Sequence, residues 1–555
     1  MTARKAIIGS LLAGVGVLAG CVCERGASVG ACVPFDLQGY IDGRVQAGEK
    51  RIVVPPGRYR VKPQRAQHLV LNGLRDVTIV ADHVEMVCAE TSRALTLVNC
   101  TNVTVRGLAI DYDPLPFTQG RIVSLSEDKR VHEIELFDGY PTADKVDGSK
   151  YEIFRPDTRT LRCPDYRYTV EVLDARHLRV LKDRGRAEDL EQVGDIVVIG
   201  ASDAPGGRSA HAVVAEESQS VRLEKISLYA SNCFGFFESA CDGTVYDRCR
   251  IDRRPAESDP VRRGAPRIRS TNADAFHSKH AVRGPRLIGC EARYQGDDGL
   301  NICGDYHLVI ECRGRVLRVL AKHRMNIAPG DPVELFAYDG RRLPDAAAVA
   351  VVRDGSITAE ERAFVGAQRM DEGLRARGCA DAYVVTLDRE AAVPKGSAIC
   401  SARRVGNGFL VKGCTFGHNR SRGVLIKGSR GAVVGNTLVG NRMSAILVSP
   451  EYWWLEAGSS SDVEIRDNVI EACGRAAIEV TAHGAKGEVA PAGAHSRITV
   501  AGNRITGCPS PCVEVTSTDA LAIRDNRIDA LLGLAAEAIR TNNCTAVTLK
   551  NNRVR

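Results

Sequence analysis

VEIRDNVI (463–470), ITVAGNRI (498–505), LAIRDNRI (521–528) and VTLKNNRV (547–554) are four versions of one phrase. An apolar, β-branched strand comes first, then a small or polar pair ending in Asn, then a second short apolar strand. AVVGNTLV (432–439) and FLVKGCTF (409–416) extend the series upstream. RLIGCEAR (286–293), TVYDRCRI (244–251), VRLEKISL (221–228) and VTVRGLAI (103–110) carry it toward the N-terminus. With Asn436 as the marker, the equivalent positions are Ile226, Cys249, Cys290, Cys414, Asn436, Asn468, Asn503, Asn526 and Asn552. The steps between them are 23, 41, 124, 22, 32, 35, 23 and 26 residues. Self-similarity at a short period is the mark of a solenoid. A unit of 22–26 residues, sometimes carrying a loop, is one coil of a parallel β-helix, an all-β fold. Coils stack at about 4.8 Å, and none can bury its apolar face alone. Inward Asn residues in register can bond to their equivalents above and below, which satisfies an amide otherwise costly to bury. The regular Leu spacing and helices of leucine-rich repeats are missing, and so are the regular Asn-Gly hairpins of a propeller.

Two steps are too long for a coil: Leu108 to Ile226 is 118 residues and Cys290 to Cys414 is 124. Structureless loops of that length are rare in compact domains, and both segments contain strand patterns, so each reads as an inserted β-barrel or sandwich. Residues 356–374 read as a short helix within the second. The expected organisation is a leader at 1–20, a linker at 21–34, β-helix at 35–115, a first β-module at 116–205, central coils at 206–304, a second module at 305–405 and C-terminal coils at 406–555. The leader has Arg4 and Lys5 before an apolar run too short to span a bilayer. It ends in Leu18-Ala19-Gly20-Cys21, which resembles a bacterial lipobox. That resemblance implies lipidation of Cys21, membrane attachment through the lipid, and an exported lipoprotein at the outer membrane or cell surface. Removing the leader takes two positive charges from the formal +7, leaving +5. Lys+Arg 75 against Asp+Glu 68 is a near balance without a basic run, which argues against a nucleic-acid partner. If Cys21 carries lipid, the 19 Cys become an even 18. Export permits disulfides, with Cys508 and Cys512 a candidate pair. Cys249, Cys290 and Cys414 share the Asn position and read first as small buried core residues.

Between the insertions, NADAFHSKH (272–280) is followed by QGDDGLNIC (295–303). Asp274 precedes Asp297 by 23 residues, one coil, so Asp274, Asp297 and Asp298 fall on neighbouring coils of one face. Stacked like charges are unfavourable, and two close carboxylates do not both ionise easily. Glycoside hydrolysis needs that asymmetry: one protonated acid and one ionised partner. The expected separation is about 5–8 Å, from coil spacing with a lateral offset. His277 and Lys279 follow Asp274 closely, and NRSRGVLIKG (419–428) places Arg420, Arg422 and Lys427 near the same face. The adjacent Trp453 and Trp454, beside Tyr452, Glu451 and Glu456, suit a sugar platform. Strand alternation would turn at least one of the two Trp outward.

Together, DYDPLPFTQG (111–120), NADAFHSKH, QGDDGLNIC, NRSRGVLIKG and AILVSPEYWWLEAG (445–458) resemble glycoside hydrolase family 110 over roughly residue 35 to the C-terminus. The resemblance implies a right-handed, pectin-lyase-like parallel β-helix with two inserted barrels. It implies an exo-acting, inverting hydrolase of terminal α-1,3-linked galactose that uses no metal or cofactor. Its key carboxylates fall on Asp274, Asp297 and Asp298, with Asn301 in the Asp-Asp-x-x-Asn string. Cys303 stands where the family has His, and Phe276 departs from a Thr-His pattern. Two other readings stay open at this stage. A polygalacturonase-like hydrolase would need a cation such as Lys427 for its uronate. A non-catalytic carbohydrate-binding surface β-helix would tolerate Asp→Asn changes.

Overall fold

The computed structural model describes residues 32–164, 168–183, 190–202, 210–261, 263–531 and 537–555. The leader, the lipobox and Cys21 lie outside these residues. Three parallel sheets of 13, 12 and 12 strands form the body, and a typical coil gives one strand to each. One coil, for example, runs Gly431–Val434, Thr437–Val439 and Ile446–Val448. Stacking is in register: Val433 lies over Ile465, Ile465 over Val500, Val500 over Ile523 and Ile523 over Leu549. The first four of that file are buried in the main hydrophobic core, which shows why the repeated β-branched positions must point inward.

The marker position is an amide ladder. Asn468 Nδ2 donates to Asn503 Oδ1 at 2.9 Å and to the Val433 carbonyl at 3.0 Å, while the Asn468 backbone N–H donates to the same Asn503 oxygen at 3.0 Å. The pattern repeats from Asn436 to Asn468, from Asn503 to Asn526 and from Asn526 to Asn552. Burial is therefore compensated at every rung. The residue before each rung has positive φ: Gly435 62°, Asp467 58°, Gly502 67°, Asp525 59° and Asn551 55°. Gly, Asp and Asn tolerate that left-handed turn best, which accounts for the recurring Gly-Asn, Asp-Asn and Asn-Asn pairs. Upstream, Cys249 and Cys290 occupy the same position and donate their thiols to the equivalent carbonyls of Leu223 and Tyr246, at 3.2 and 3.3 Å. Both are buried, as the reading of these cysteines as core residues requires.

The insertions differ from each other. The first leaves the stack after Ala109–Tyr112 and re-enters at Val213–Glu216. It is a seven-stranded antiparallel sheet, running in the chain from Phe117–Leu125 to Ile196–Gly200, and not a closed barrel. The second leaves after Leu300–Asp305 and re-enters at Leu410–Lys412. It is a closed six-stranded barrel. Its helix Ala359–Gly366 lies within the segment expected to be helical and starts on a capping box made by Thr358 and Glu361.

Asn468→Leu should lower stability by about 2–4 kcal/mol, because the buried Asn436 backbone N–H loses its acceptor, Asn436 Nδ2 and Asn503 Oδ1 each lose one of two bonds, and the Val433 carbonyl loses a donor. Urea unfolding measures this, and a loss below about 0.5 kcal/mol would mean the ladder does not hold the stack.

Candidate active site

Asp274 sits in the turn that feeds strand Phe276–Lys279, and Asp297 and Asp298 sit in the matching turn one coil on, before Leu300–Asp305. The two strands are in register, Phe276 over Leu300 and His277 over Asn301. This brings one oxygen each of Asp274, Asp297 and Asp298 within 4.8 Å of one another. The cluster is tighter than the expected 5–8 Å, because each turn folds back on the next: the Asp298 N–H donates to Asp274 Oδ1 at 3.3 Å.

The three carboxylates have different surroundings. Lys150, from the first insertion, donates to Asp297 Oδ2 at 2.7 Å, and Arg420 donates to the same oxygen at 2.6 Å. Burial opposes ionisation of Asp297, but the two cations outweigh it and hold this carboxyl well below the usual range. Asp298 accepts the Arg422 N–H at 2.8 Å, with the Arg422 guanidinium 3.4 Å away. Burial still wins, helped by the neighbouring aspartates, and pushes Asp298 up to about 7. Asp274 is raised well above the carboxylate range, first by burial and then by the charge on Asp297. Its Oδ2 lies 2.7 Å from His277 Nδ1, and burial lowers His277 to about 4. Burial favours the uncharged form of both partners, and His277 Nε2 faces the Cys303 sulfur at 3.7 Å. One ionised and two protonatable carboxyls therefore share one site. Their oxygens could converge on a cation, but Lys150, Arg420 and Arg422 already supply positive charge there.

A second network lies beside the first. Strand Leu300–Asp305 also pairs antiparallel with Glu456–Ala457, matching Gly304 with Ala457 and Asp305 with Glu456. That pairing carries Glu456 to Asn301, whose Nδ2 donates at 3.2 Å. Lys427 donates to Asn301 Oδ1 at 3.2 Å and pairs with Glu451 at 2.9 Å and Glu456 at 3.0 Å. Lys427 is fully buried, so it braces the site and presents no free cation to a ligand. Arg422 also bridges to Glu451. Lys279 is turned to Asp305, 3.2 Å away, in a buried group with His280 and Lys322 that anchors the second insertion. Trp453 and Trp454 belong to a short 3-10 turn, Tyr452–Trp454, rather than a strand, and both are 44% exposed. Trp453 lines a groove of about 420 Å³ with Arg369, Arg475 and Glu479; the groove shares Arg422 and Glu451 with the carboxylate site. Trp454 does not line it.

Two contributors were not singled out from the sequence. Lys150 is 147 residues from its partner and carries no motif. Phe234 stacks on His277 at 4.3 Å, with His211 stacked on its other side at 4.6 Å. The string CFGFFES (233–239) reads as an ordinary core strand, yet Phe234 is only half-buried. The first insertion is locked to this site by fully buried Arg269, which pairs with Glu152 at 2.6 Å and donates to Asn272 at 3.1 Å. Arg420 lies 3.7 Å from the same Glu152.

A protein-family model described as a right handed beta helix region matches residues 368–491. Among curated proteins, the chain is similar to an alpha-1,3-galactosidase A of Shewanella woodyi, 23% identical over 262 residues. The match takes in 46% of this chain and 39% of that protein, so it spans well under half of the relative. Similar solved structures include the A-module of the mannuronan C-5 epimerase AlgE4 of Azotobacter vinelandii, at 11% identity and TM-score 0.37, covering 94% of this chain and 92% of that one. Another is PfbA, a surface adhesin of Streptococcus pneumoniae, at 10% identity and TM-score 0.44, covering 93% and 85%. A third is the catalytic domain of a family 87 alpha-1,3-glucanase in complex with nigerose, at 9% identity and TM-score 0.41, covering 95% and 67%.

Arg269→Met should cost about 3–5 kcal/mol, because it removes the close partner of the buried Glu152 and leaves it only the more distant Arg420. Adding Glu152→Met should restore part of that loss. Unfolding of both variants measures it, and equal losses would mean the pair is not the lock.

Proposed function

We propose that this protein is a glycoside hydrolase that releases terminal α-1,3-linked galactose from glycans by single displacement at the Asp274–Asp297–Asp298 cluster. The observation that carries this reading is three carboxyls within 4.8 Å in unlike surroundings, Asp297 held by Lys150 and Arg420, Asp298 by Arg422 and Asp274 beside His277. The linkage and the sugar rest on the resemblance to family 110 and on the similarity to the Shewanella galactosidase. Asp298, poised at about 7, is the proton donor to the leaving oxygen. Asp297 stays ionised, holds the attacking water and takes its proton as the water oxygen adds to the anomeric carbon. With Lys150 and Arg420 both on Oδ2, its electron density is committed. The acid and base of most inverting sites stand about 6.5–9.5 Å apart, wider than this cluster, so the released anomer is the sharpest test of that step. Asn301 and Glu456 stand where sugar hydroxyls could be held. The buried pairing of Lys427 weighs against a uronate substrate.

Terminal α-galactosides and α-uronides, assayed for released sugar, test the substrate class. Turnover of α-1,3-galactosides is expected, and release of no sugar from any of them would favour a binding protein. NMR of the first product should show β-galactose; α-galactose would overturn single displacement. Asp298→Asn should lower kcat about 10²–10⁴-fold. The donor works while protonated, below its pKa, so kcat/KM should fall as pH rises through about 7. A limb that rises there instead would make Asp298 the base. Lys150→Met should raise the pKa of Asp297 and move the acidic limb of the profile to higher pH.

A further inference from the structure

Beyond the carboxylate site, two cysteines of neighbouring coils lie unusually close. Cys473 stands two residues after Glu471, and Cys508 two residues after Thr506; Glu471 and Thr506 are paired in register between adjacent parallel strands. Their α-carbons are therefore about one strand spacing apart, roughly 4.8 Å, inside the 4.4–6.8 Å window of disulfides. The two sulfurs are 2.7 Å apart, inside the van der Waals contact of two unbonded thiols. Both residues are buried, Cys508 fully. Cys512, the partner suggested by sequence proximity, instead directs its thiol to the Cys508 carbonyl at 3.6 Å.

We propose that Cys473 and Cys508 form a disulfide that clamps two adjacent coils. Oxidation by a low-molecular-weight disulfide such as oxidised glutathione balances the reaction. One cysteine thiolate attacks the oxidant's S–S bond, giving a mixed disulfide and one released thiol. The second cysteine then displaces the other half of the oxidant as a second thiol. Two S–H bonds are lost, one protein S–S bond forms, and the oxidant is reduced to two thiols. The clamp has a place in the molecule's working surface. The Cys473 thiol reaches the Arg475 carbonyl at 3.0 Å, and Arg475 and Glu479, in the turn and strand that follow, line the groove beside the carboxylate site.

The test equilibrates the folded full-length chain in glutathione buffers of graded redox ratio, quenches in acid, alkylates under denaturing conditions and maps peptides by mass spectrometry. A 473–508 cross-link should dominate in oxidising buffer and disappear in reducing buffer. Fully alkylated Cys473 and Cys508 in oxidised glutathione, or a dominant 508–512 link, would overturn the proposal. Oxidised wild-type protein should also melt about 3–8 °C above the reduced protein. That difference should vanish in Cys473→Ser and in Cys508→Ser, and its persistence in both would equally overturn it. The peptide map needs only wild-type protein, so a variant that fails to fold does not blunt the test.

Discussion

The amide-to-amide hydrogen bond between stacked asparagines is the constraint from which the rest of the architecture follows. Each rung gives the amide of one coil two acceptors and takes two donors onto one oxygen of the next. A shift by one residue would break every rung and turn each β-branched strand position from core to solvent. Register is therefore fixed chemically as well as by packing. In the coils that bear the aspartates Cys249 and Cys290 hold the rung instead, through their thiols to the carbonyls of Leu223 and Tyr246, and the same register lets two turns, one coil apart, stack three aspartates on one face.

Position alone would leave those aspartates equivalent. The surroundings separate them: Asp297 receives two cations, Asp298 receives one with more burial, and Asp274 is paired with a neutral imidazole. The coils supply the spacing and the outer elements supply the charge. Glu456 follows the same rule, since it reaches Asn301 only because its strand pairs with the end of Leu300–Asp305.

The coils were legible in the sequence because their signal is local and repeated. From Cys290 onward every rung carries Gly, Asp or Asn in a left-handed turn followed by Asn or Cys, and every strand alternates with it. The aspartates were legible for the same reason, being one period apart. Lys150 was not, because nothing in a lone lysine of an inserted sheet encodes a partner 147 residues away. Phe234 was hidden by a string that looks like core, and only the tertiary packing leaves its ring half-exposed beside His277. Lys427 misled in the opposite direction: a cation near a polar face suggests a ligand contact, yet two glutamates bury it. Closure of the second insertion and openness of the first depend on which strand ends meet, which strand patterns alone do not specify.

Lys150 belongs to the first insertion, and Arg269 and Glu152 bind that insertion to the coil that bears Asp274. The insertion is thus a part of the electrostatic site that happens to be encoded elsewhere in the chain. Stripped to its coils, the protein would still hold three acids in a row, but with one fewer charge to decide which of them gives up its proton. Chains that share this stack can therefore diverge in chemistry by altering the inserted sheet while leaving every aspartate in place.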